Sequence, residues 1–422
     1  MIKKIFIVTV FFVCSYSFAQ EGSVSPYSFY GTGDQRFKGT AENRSMGGIS
    51  VFTDSIHLNL QNPASLGKLG LTTFAVGGGY QSLSLKTEMA KESTADVTFD
   101  YVALGVPLGN NMGMSFGLMP YTAVGYKIED INESGALDQL RRFEGEGGIN
   151  KAFFALGYNF LNNFSVGGQV NFNFGDIKNE SVIYTDGVQY GSKIVNQSQY
   201  SGFDFKFSLN YDAKLTKSLE LQSYLAYVPA TKVTSSNSRV ISTIVRNSQG
   251  IDVPTAVEEV DLARWGLHST YLELSDVYSF GLGVGKKFNW FVGGEFEYTT
   301  NSEFRNDFYT PINGTYEDGE RFAAGAFWIP DYDSFTSYWK RVTYRVGLKN
   351  ERTGMIVNNV PVHDFGMSFG LGLPLRGFSN ANVGVEFGKR GSTFQGRVEE
   401  NYFNVFISLS LNDLWFRKNL IR

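Results

Sequence analysis

Three histidines are the side chains best suited to act as general bases, and they stand far apart in the 422-residue chain, at His57, His268 and His363. A lipase or acyltransferase would need one of them beside a positioned nucleophile. No Gly-x-Ser-x-Gly nucleophile elbow is expected beside them, and the only cysteine, Cys14, lies near the amino terminus. The sequence therefore favours a protein that is not an enzyme and carries no cofactor.

Two acidic clusters, Asp331-Tyr332-Asp333 and Glu317-Asp318-Gly319-Glu320, could ligate calcium, but they lack the ordered spacing of a dedicated calcium loop. No metal site is predicted. The chain contains 37 Lys and Arg against 41 Asp and Glu, a formal net charge of −4. Because it also lacks a long basic block, a nucleic-acid partner is not expected.

Residues 1–19 have the three parts of a secretory signal peptide. Lys3 and Lys4 precede an apolar run from Ile5 to Cys14, and Ser17-Phe18-Ala19 forms a cleavage site before Gln20. The run is too short for a membrane-spanning helix, which needs roughly 20 apolar residues. A lipoprotein cut before Cys14 is disfavoured by the bulky Val13. The segment predicts export from the cytoplasm.

The composition of the remaining chain is typical of an outer-membrane β-barrel. Aromatic residues make up 15% of the chain, with 47 glycines and 10 prolines. After residue 20 no apolar run reaches the length of a transmembrane helix. A large secreted β-sandwich or propeller is the competing class, so side-chain periodicity must decide between them.

Alternation is clearest between Phe164 and Asp176. Every second residue from Phe164 to Phe174 is apolar or glycine, and the intervening ones are Ser165, Gly167, Gln169, Asn171 and Asn173. Successive side chains of a strand point to opposite faces, so one face is apolar and the other polar over about ten residues. A tilted strand of this length can cross a bilayer.

Extending this pattern predicts an all-β fold, a 14-stranded antiparallel transmembrane β-barrel. Loops at 128–147, 176–199, 234–274 and 301–319 are long, and the connections between them are short, as expected for the two sides of an outer membrane. Leu137 to Phe143 has helical spacing within the first long loop. Counting 301–338 as one loop gives an odd number of strands, so a strand at 320–330 is included. The predicted strands are 72–86, 96–108, 112–127, 148–161, 163–175, 200–214, 219–233, 275–287, 289–300, 320–330, 339–350, 362–374, 380–390 and 402–415.

Charged residues on the polar face of these strands predict a wet or plug-filled lumen, since charges are costly in lipid. They are expected to pair with each other or with the plug, and ligand binding is the alternative. The set comprises Asp204, Lys206, Glu295, Glu297, Arg341, Arg345 and Glu386.

The stretch from Asn43 to Leu66 lacks a period of two and precedes the first strand. Its order of Met46-Gly47-Gly48 and then Asn62-Pro63-Ala64 resembles the N-terminal hatch of FadL-type long-chain fatty acid transporters and of PorV-type proteins of Bacteroidetes secretion systems. Tyr30-Gly31-Thr32-Gly33-Asp34 and the closing Leu411 to Phe416 are similar to a Bacteroidetes branch of that superfamily. The resemblance implies a hatch inside the lumen.

The resemblance also implies a function and a site. In FadL-type proteins a kink in the third strand opens the wall sideways, and Pro120, with Met119 and Tyr121 beside it, falls in the third predicted strand. A proline within a central strand belongs at a bulge or break. A bulge without an opening is the alternative. The ligand-binding residues of the transporters do not align with this chain, so the substrate does not carry over.

Together these features predict a signal peptide at 1–19, a hatch at 20–71, a barrel at 72–416 and a tail at 417–422. The expected location is the outer membrane of a Gram-negative bacterium, among its lipids. The leading hypothesis is passive uptake of small hydrophobic ligands such as fatty acids. The rival hypothesis is a non-transporting subunit of a large outer-membrane secretion or assembly complex.

Overall fold

The computed structural model describes residues 24–109, 111–132, 138–161, 163–309 and 313–414. Within these residues fourteen antiparallel strands form a closed barrel, because each strand pairs with the next and the last pairs with the first. The predicted all-β barrel is therefore confirmed; the predicted signal peptide and tail lie outside the described residues. The strands are β1 (Thr72–Lys86), β2 (Lys91–Pro107), β3 (Met112–Asn132), β4 (Gln139–Phe160), β5 (Phe164–Thr185), β6 (Gly191–Lys214), β7 (Glu220–Val228), β8 (Val277–Lys286), β9 (Trp290–Thr299), β10 (Gly319–Trp328), β11 (Thr343–Val357), β12 (Val360–Pro374), β13 (Asn380–Arg390) and β14 (Glu399–Asp413).

The wall is inverted relative to a soluble protein, with polar side chains inside and apolar ones outside. In β5, Ser165 and Asn171 are 0% and 2% exposed, whereas Val166 is 40% exposed. Phe203 in β6 and Ile407 in β14 likewise point outward and are more than half exposed. An apolar outer band around a polar interior is the arrangement that suits a barrel in a bilayer. In the described ranges no helix is both long and apolar enough to cross a membrane.

The strand at Glu320–Pro330, added to make the count even, is present as β10 and pairs with β9 and β11. Consequently β1 begins and β14 ends on the same side of the barrel. The connections on that side are short except the one between β10 and β11, which contains the helix α2 (Tyr338–Arg341).

Two predicted loops were wrong, because the strands run on through them. β3 continues to Asn132, and β4 starts at Gln139, so the segment with helical spacing at Leu137 to Phe143 is extended from Gln139 onward. β5 and β6 similarly fill most of 176–199. These strands have 21 to 24 residues, about twice the length needed to span a bilayer. Their outer halves therefore stand above the membrane.

We call this projection the outer sheet: the outer ends of β3–β6 together with strands Thr231–Arg246 and Asp252–Glu259. Thr231–Arg246 pairs with β6 on one edge, and Asp252–Glu259 pairs with it on the other. The sheet curls, since Asp252 reaches back to Arg142 of β4 and to Tyr184 of β5. Smaller strands in the connections are Ser269–Leu274, Arg305–Asn306 and Gly314–Tyr316.

The amino-terminal residues 24–71 form the hatch inside the lumen. Its elements are short: 3-10 turns at Pro26–Phe29 and Pro63–Lys68, strand Asp34–Gln35 and helix α1 (Ala41–Arg44). Leu58, Leu60 and Leu66 pack against Tyr101 and Phe153 of the wall. The hydrophobic core of the molecule therefore lies between hatch and wall. Further 3-10 turns occur at Leu262–Trp265, Asn301–Glu303 and Phe394–Gly396.

Candidate functional site

Wall glycines create the seat for Met46-Gly47 of the hatch. A Cβ added at Gly325, Gly347 or Gly370, on three neighbouring strands, would collide with residues 45–47 of the hatch. The backbone N–H of Gly47 donates to Ser368 Oγ (3.0 Å). Gly47 and Gly48 both have positive φ, of 70° and 81°, a conformation that suits glycine. Close approach thus depends on glycines of both surfaces.

A second seat holds Asn62-Pro63-Ala64 on the opposite part of the wall. Added Cβ atoms at Gly157 and Gly167 would meet the backbone of Pro63 and Ala64. The Ala64 N–H donates to Ser208 Oγ (2.8 Å), and the Asn62 amide donates to Asn210 Oδ1 (3.0 Å). The hatch is therefore fixed on two sides by backbone contacts and hydrogen bonds.

Six of the seven charged residues predicted to face the lumen do so. Glu295 accepts from Ser50 N of the hatch (2.6 Å), and Glu386 pairs with Arg44 of the hatch (2.9 Å). Asp204 pairs with Lys151 (2.9 Å). Arg345 donates to Asn382 (3.0 Å), and Glu297 accepts from Ser279 (3.2 Å). Lys206 lines the lumen cavity.

Arg341 differs from its prediction. It lies at the end of the exposed helix α2, just before β11 in the chain, with its guanidinium over the Tyr338 ring. The prediction began this strand at residue 339, whereas it begins at Thr343. Alternation cannot be applied to residues in a turn, which is why Arg341 was assigned to the wrong face.

The hydrogen-bond ladder between β2 and β3 is incomplete. It runs from Pro107–Gly113 to Val102–Leu118 and then stops. Beyond it β2 continues along β1 and β3 continues along β4. Among the described residues no strand pairing joins residues 91–101 of β2 to residues 119–132 of β3. We call this part of the wall the parted seam.

Pro120 lies at the base of the parted seam. The β3–β4 register shifts between Pro120 and Thr122, so Tyr121 forms a bulge, as expected for a proline, which cannot donate to the ladder. Met119 points inward and is 4% exposed. The Tyr121 ring faces two ammonium groups, those of Lys151 (4.2 Å) and Lys38 (5.2 Å).

The hatch strand Asp34–Gln35 pairs with the edge of β3 that β2 leaves free. It pairs with Ala123 and Thr122 of β3, whose other edge is taken by β4. Arg36 N donates to Tyr121 O (3.0 Å). The Arg36 side chain reaches the far side of the seam, where it binds Asp96 of β2 (3.4 Å) and Gln81 of β1 (3.2 Å). The hatch thus bridges the parted seam.

A cavity of about 350 Å³ lies in the lumen between residues of the hatch and the wall. Aromatic and apolar side chains line one part of it, including Tyr27, Tyr30, Phe304 and Met355. Charged side chains line the rest, including Lys38, Lys151, Lys206, Glu297 and Arg321. The cavity also reaches Thr98 and Asp100 of β2 and Tyr121 of β3, which lie on the two sides of the parted seam. The lumen therefore extends to the parted seam.

Two Gly-x-Ser-x-Gly segments do occur, at 113–117 and 366–370. Both lie within regular strands, β3 and β12. Ser115 and Ser368 are buried, and Ser368 holds the hatch. His57 binds Asp54 of the hatch (2.5 Å). The arrangement gives these serines a packing role.

A family model described as BamG matches residues 1–422. The chain belongs to the BamG family. No curated protein matches the sequence. This BamG-family barrel is similar to the Pseudomonas putida toluene transporter TodX, with a TM-score of 0.55, 15% identity, and coverage of 90% of this chain and 99% of TodX.

Two further solved structures share the fold. A Pseudomonas aeruginosa FadL homologue gives a TM-score of 0.56 at 11% identity, covering 90% of this chain and 99% of its own. The CymD monoaromatic hydrocarbon channel gives a TM-score of 0.51 at 10% identity, and the match covers 92% of this chain and 100% of CymD. The predicted FadL-type fold is confirmed for this BamG-family protein. Its placement in a Bacteroidetes branch stays a prediction.

Sequence reasoning missed most of the charges that hold the hatch. Arg36 and Lys38 lie in irregular backbone, and Arg44 ends the four-residue helix α1, so no period identifies a face for any of them. Lys151 lies in a segment, Lys151 to Tyr158, whose apolar residues occupy both faces, so alternation could not assign it. Its position directly opposite Asn173 in the β4–β5 register is what brings it to Asp204.

Proposed function

We propose that this protein is an outer-membrane channel for passive uptake of small hydrophobic compounds such as fatty acids, which leave the lumen sideways through the parted seam. The observation that carries the proposal is the ending of the β2–β3 ladder at Leu118. An apolar solute can leave a lumen into lipid only where the wall is not continuously hydrogen-bonded, since each lost backbone bond in lipid costs several kcal/mol.

The hatch strand supplies the closed state in this scheme. Asp34–Gln35 satisfies the free edge of β3, and Arg36 ties the same segment to β2. Movement of this short segment would open the seam without unfolding the barrel. Met119, Pro120 and Tyr121 would form the lower border of the path.

The cavity supports a ligand with an apolar body and an acidic end. Its aromatic part accommodates hydrocarbon, and Lys38 and Lys151 flank the Tyr121 ring next to the seam. A carboxylate would find charge-assisted donors there. Two of the structures with a similar fold, a toluene transporter and a monoaromatic hydrocarbon channel, agree with an apolar cargo.

Uptake of a radiolabelled fatty acid and of labelled toluene should be measured in cells that produce the protein and in cells that lack it. Faster uptake with the protein is expected for one or both. Equal rates for both compounds would contradict the proposal.

A second candidate is a subunit of an outer-membrane complex. It is favoured by strand Asp252–Glu259, whose residues are nearly all exposed and whose second edge has no partner among the described residues. Such an edge can template pairing with another chain. Native mass spectrometry after gentle detergent extraction separates the two: a stoichiometric protein partner supports the complex, and a lone barrel carrying a small ligand supports the channel.

A further inference from the structure

A groove of about 790 Å³ runs across the outer, lipid-facing wall over β9–β13. Its floor follows one register row, from Val292 through Ala326 to Val346. Ala326 is the smallest residue in this row, so the outer surface of the wall is recessed there. Trp290 and Trp328, paired in register, stand beside the floor on the side of the short turns. The lining is apolar apart from Arg345, which is buried and bonds Asn382 inside.

Three turns continue the groove beyond the wall: those between β8 and β9, β10 and β11, and β12 and β13. They carry a set of exposed basic side chains, with only Asp331 and Asp333 as acidic neighbours within the same turns. None of these basic side chains forms an ion pair with any described residue. They are Lys286, Lys287, Lys340, Arg341 and Arg376.

Aromatic residues connect these turns to the groove. Phe288 stacks on Tyr332, with ring centroids 4.7 Å apart. The Tyr344 hydroxyl at the edge of the groove donates to Trp339 O (3.2 Å), and the Tyr338 hydroxyl donates to Pro374 O (3.2 Å). Trp339 is 62% exposed and Phe335 fully so. Aromatic side chains of this kind concentrate at the level of lipid headgroups.

We propose that this surface is a binding site for an anionic phospholipid of the inner leaflet. An acyl chain lies in the groove over Ala326, and the phosphate is held by Lys340, Arg341 and Arg376. Charge selects this occupant: the net negative charge of an anionic lipid neutralises cations that form no ion pair with any described residue, and Lys and Arg donate strongly to phosphate. The short turn between β6 and β7 provides a contrast, because it holds Lys217 but no aromatic residue.

The test uses the full-length protein in nanodiscs containing equal amounts of phosphatidylglycerol and phosphatidylethanolamine with the same acyl chains. Native mass spectrometry after release from the nanodiscs should find phosphatidylglycerol retained in preference. The double variant Lys340→Gln/Arg341→Gln should lower its retention by roughly thirtyfold. The control Lys214→Gln/Lys217→Gln removes two cations at the neighbouring short turn between β6 and β7, outside the proposed site, and should leave retention unchanged.

The groove is tested separately with Ala326→Trp, which should displace the acyl chain and reduce retention of both lipids. Gly168→Trp adds the same bulk to an outward position of β5 that is open apart from Phe207, and it should have no effect. Equal retention of the two lipids by the unaltered protein, or retention unaffected by both groove and rim variants, would overturn the proposal. So would loss of a bound protein, rather than lipid, on making these changes.

Discussion

Two seams of the barrel wall contrast. The seam between β14 and β1, where the two ends of the barrel meet, is paired along its whole length, from Thr72–Asp413 to Lys86–Glu399. The seam between β2 and β3, which follow one another in the chain, is paired only from Pro107–Gly113 to Val102–Leu118. Barrel closure therefore does not depend on chain connectivity, and the weak place in the wall is between consecutive strands.

The two seams also differ in what satisfies their backbone groups. β1 and β14 satisfy each other, whereas β3 relies on hatch residues 34–36 above Pro120. The hatch therefore supplies backbone partners to β3 that β2 does not supply, and it forms part of the wall at the parted seam. Elsewhere it packs against strands that are already paired with each other.

Locking the parted seam should have the largest effect. Gln35 and Thr122 are register partners, and opposed residues of antiparallel strands lie close enough for a disulfide. In Gln35→Cys/Thr122→Cys, oxidation should reduce hydrophobic uptake to the level of cells without the protein, and a reductant should restore it. The pair Ala75→Cys/Ser410→Cys crosses the closing seam and should transport normally in both states. Full transport by the oxidised Gln35–Thr122 variant would rule out movement of this segment.

Displacing the hatch from the wall should have the next largest effect on permeability. A side chain at Gly347 would meet the backbone of Met46 and Gly47, which cannot give way easily. Gly347→Val is expected to leave a folded barrel, judged by its strand signal in circular dichroism, with increased influx of a large antibiotic. Gly294→Val is the control, since its nearest neighbour, Ala323 O, is 3.6 Å away. Loss of the strand signal only in Gly347→Val would mean that the hatch is needed to form the wall.

Weakening the bridge across the parted seam should raise uptake moderately. A hydrogen bond to a charged group contributes about 1.5–3 kcal/mol, so Arg36→Gln should favour the open seam by roughly tenfold. Asp96→Asn should act in the same direction, and the double variant should add little because both changes remove one interaction. Additive effects in a double-mutant cycle would show that Arg36 and Asp96 act independently.

The smallest effect is expected in the outer sheet, which supports residues 119–132 of β3, where β3 no longer pairs with β2. Burial alone would raise the pKa of Asp252, but hydrogen bonds from Tyr184, Arg142 and Arg246 lower it below its ordinary value. A carboxyl whose pKa is depressed by folding stabilises the sheet when the pH is above the pKa of the unfolded chain, about 3.9. This stabilisation is lost as the pH falls through the pKa of the folded protein. Asp252→Asn should therefore remove the stabilisation at neutral pH.

Hydrogen exchange can measure this. In Asp252→Asn the amides of residues 119–132 should exchange faster than in the unaltered protein, while those of the β14–β1 seam should not change. Glu258→Gln alters an exposed residue of the same strand and serves as control. Faster exchange at both seams would indicate general destabilisation.

The strand count was predictable because lipid outside and polar residues inside impose a period of two, seen most clearly in Ser165 to Asn173. Parity then recovered β10. The outer sheet was not predictable, since above the membrane apolar and polar residues occur on both faces and the alternation fades. In 176–185, for example, Ile177 and Val182 lie on opposite faces and are both buried. Pro120 pointed to the parted seam, but the hatch segment that bridges it was not predictable, because Asp34–Arg36 pairs with residues 45 or more positions away and has no pattern of its own.

The bonds of the hatch imply an order of events in folding. Ser25 binds Glu400 and Arg44 binds Glu386, across 375 and 342 residues of chain. The segment that leaves the ribosome first therefore reaches its final place only when the last two strands have formed. Contacts this distant in sequence are slow to form, so we expect seating of the hatch to be among the last steps of folding. Until these contacts form, the lumen lacks the residues that fill it in the final structure.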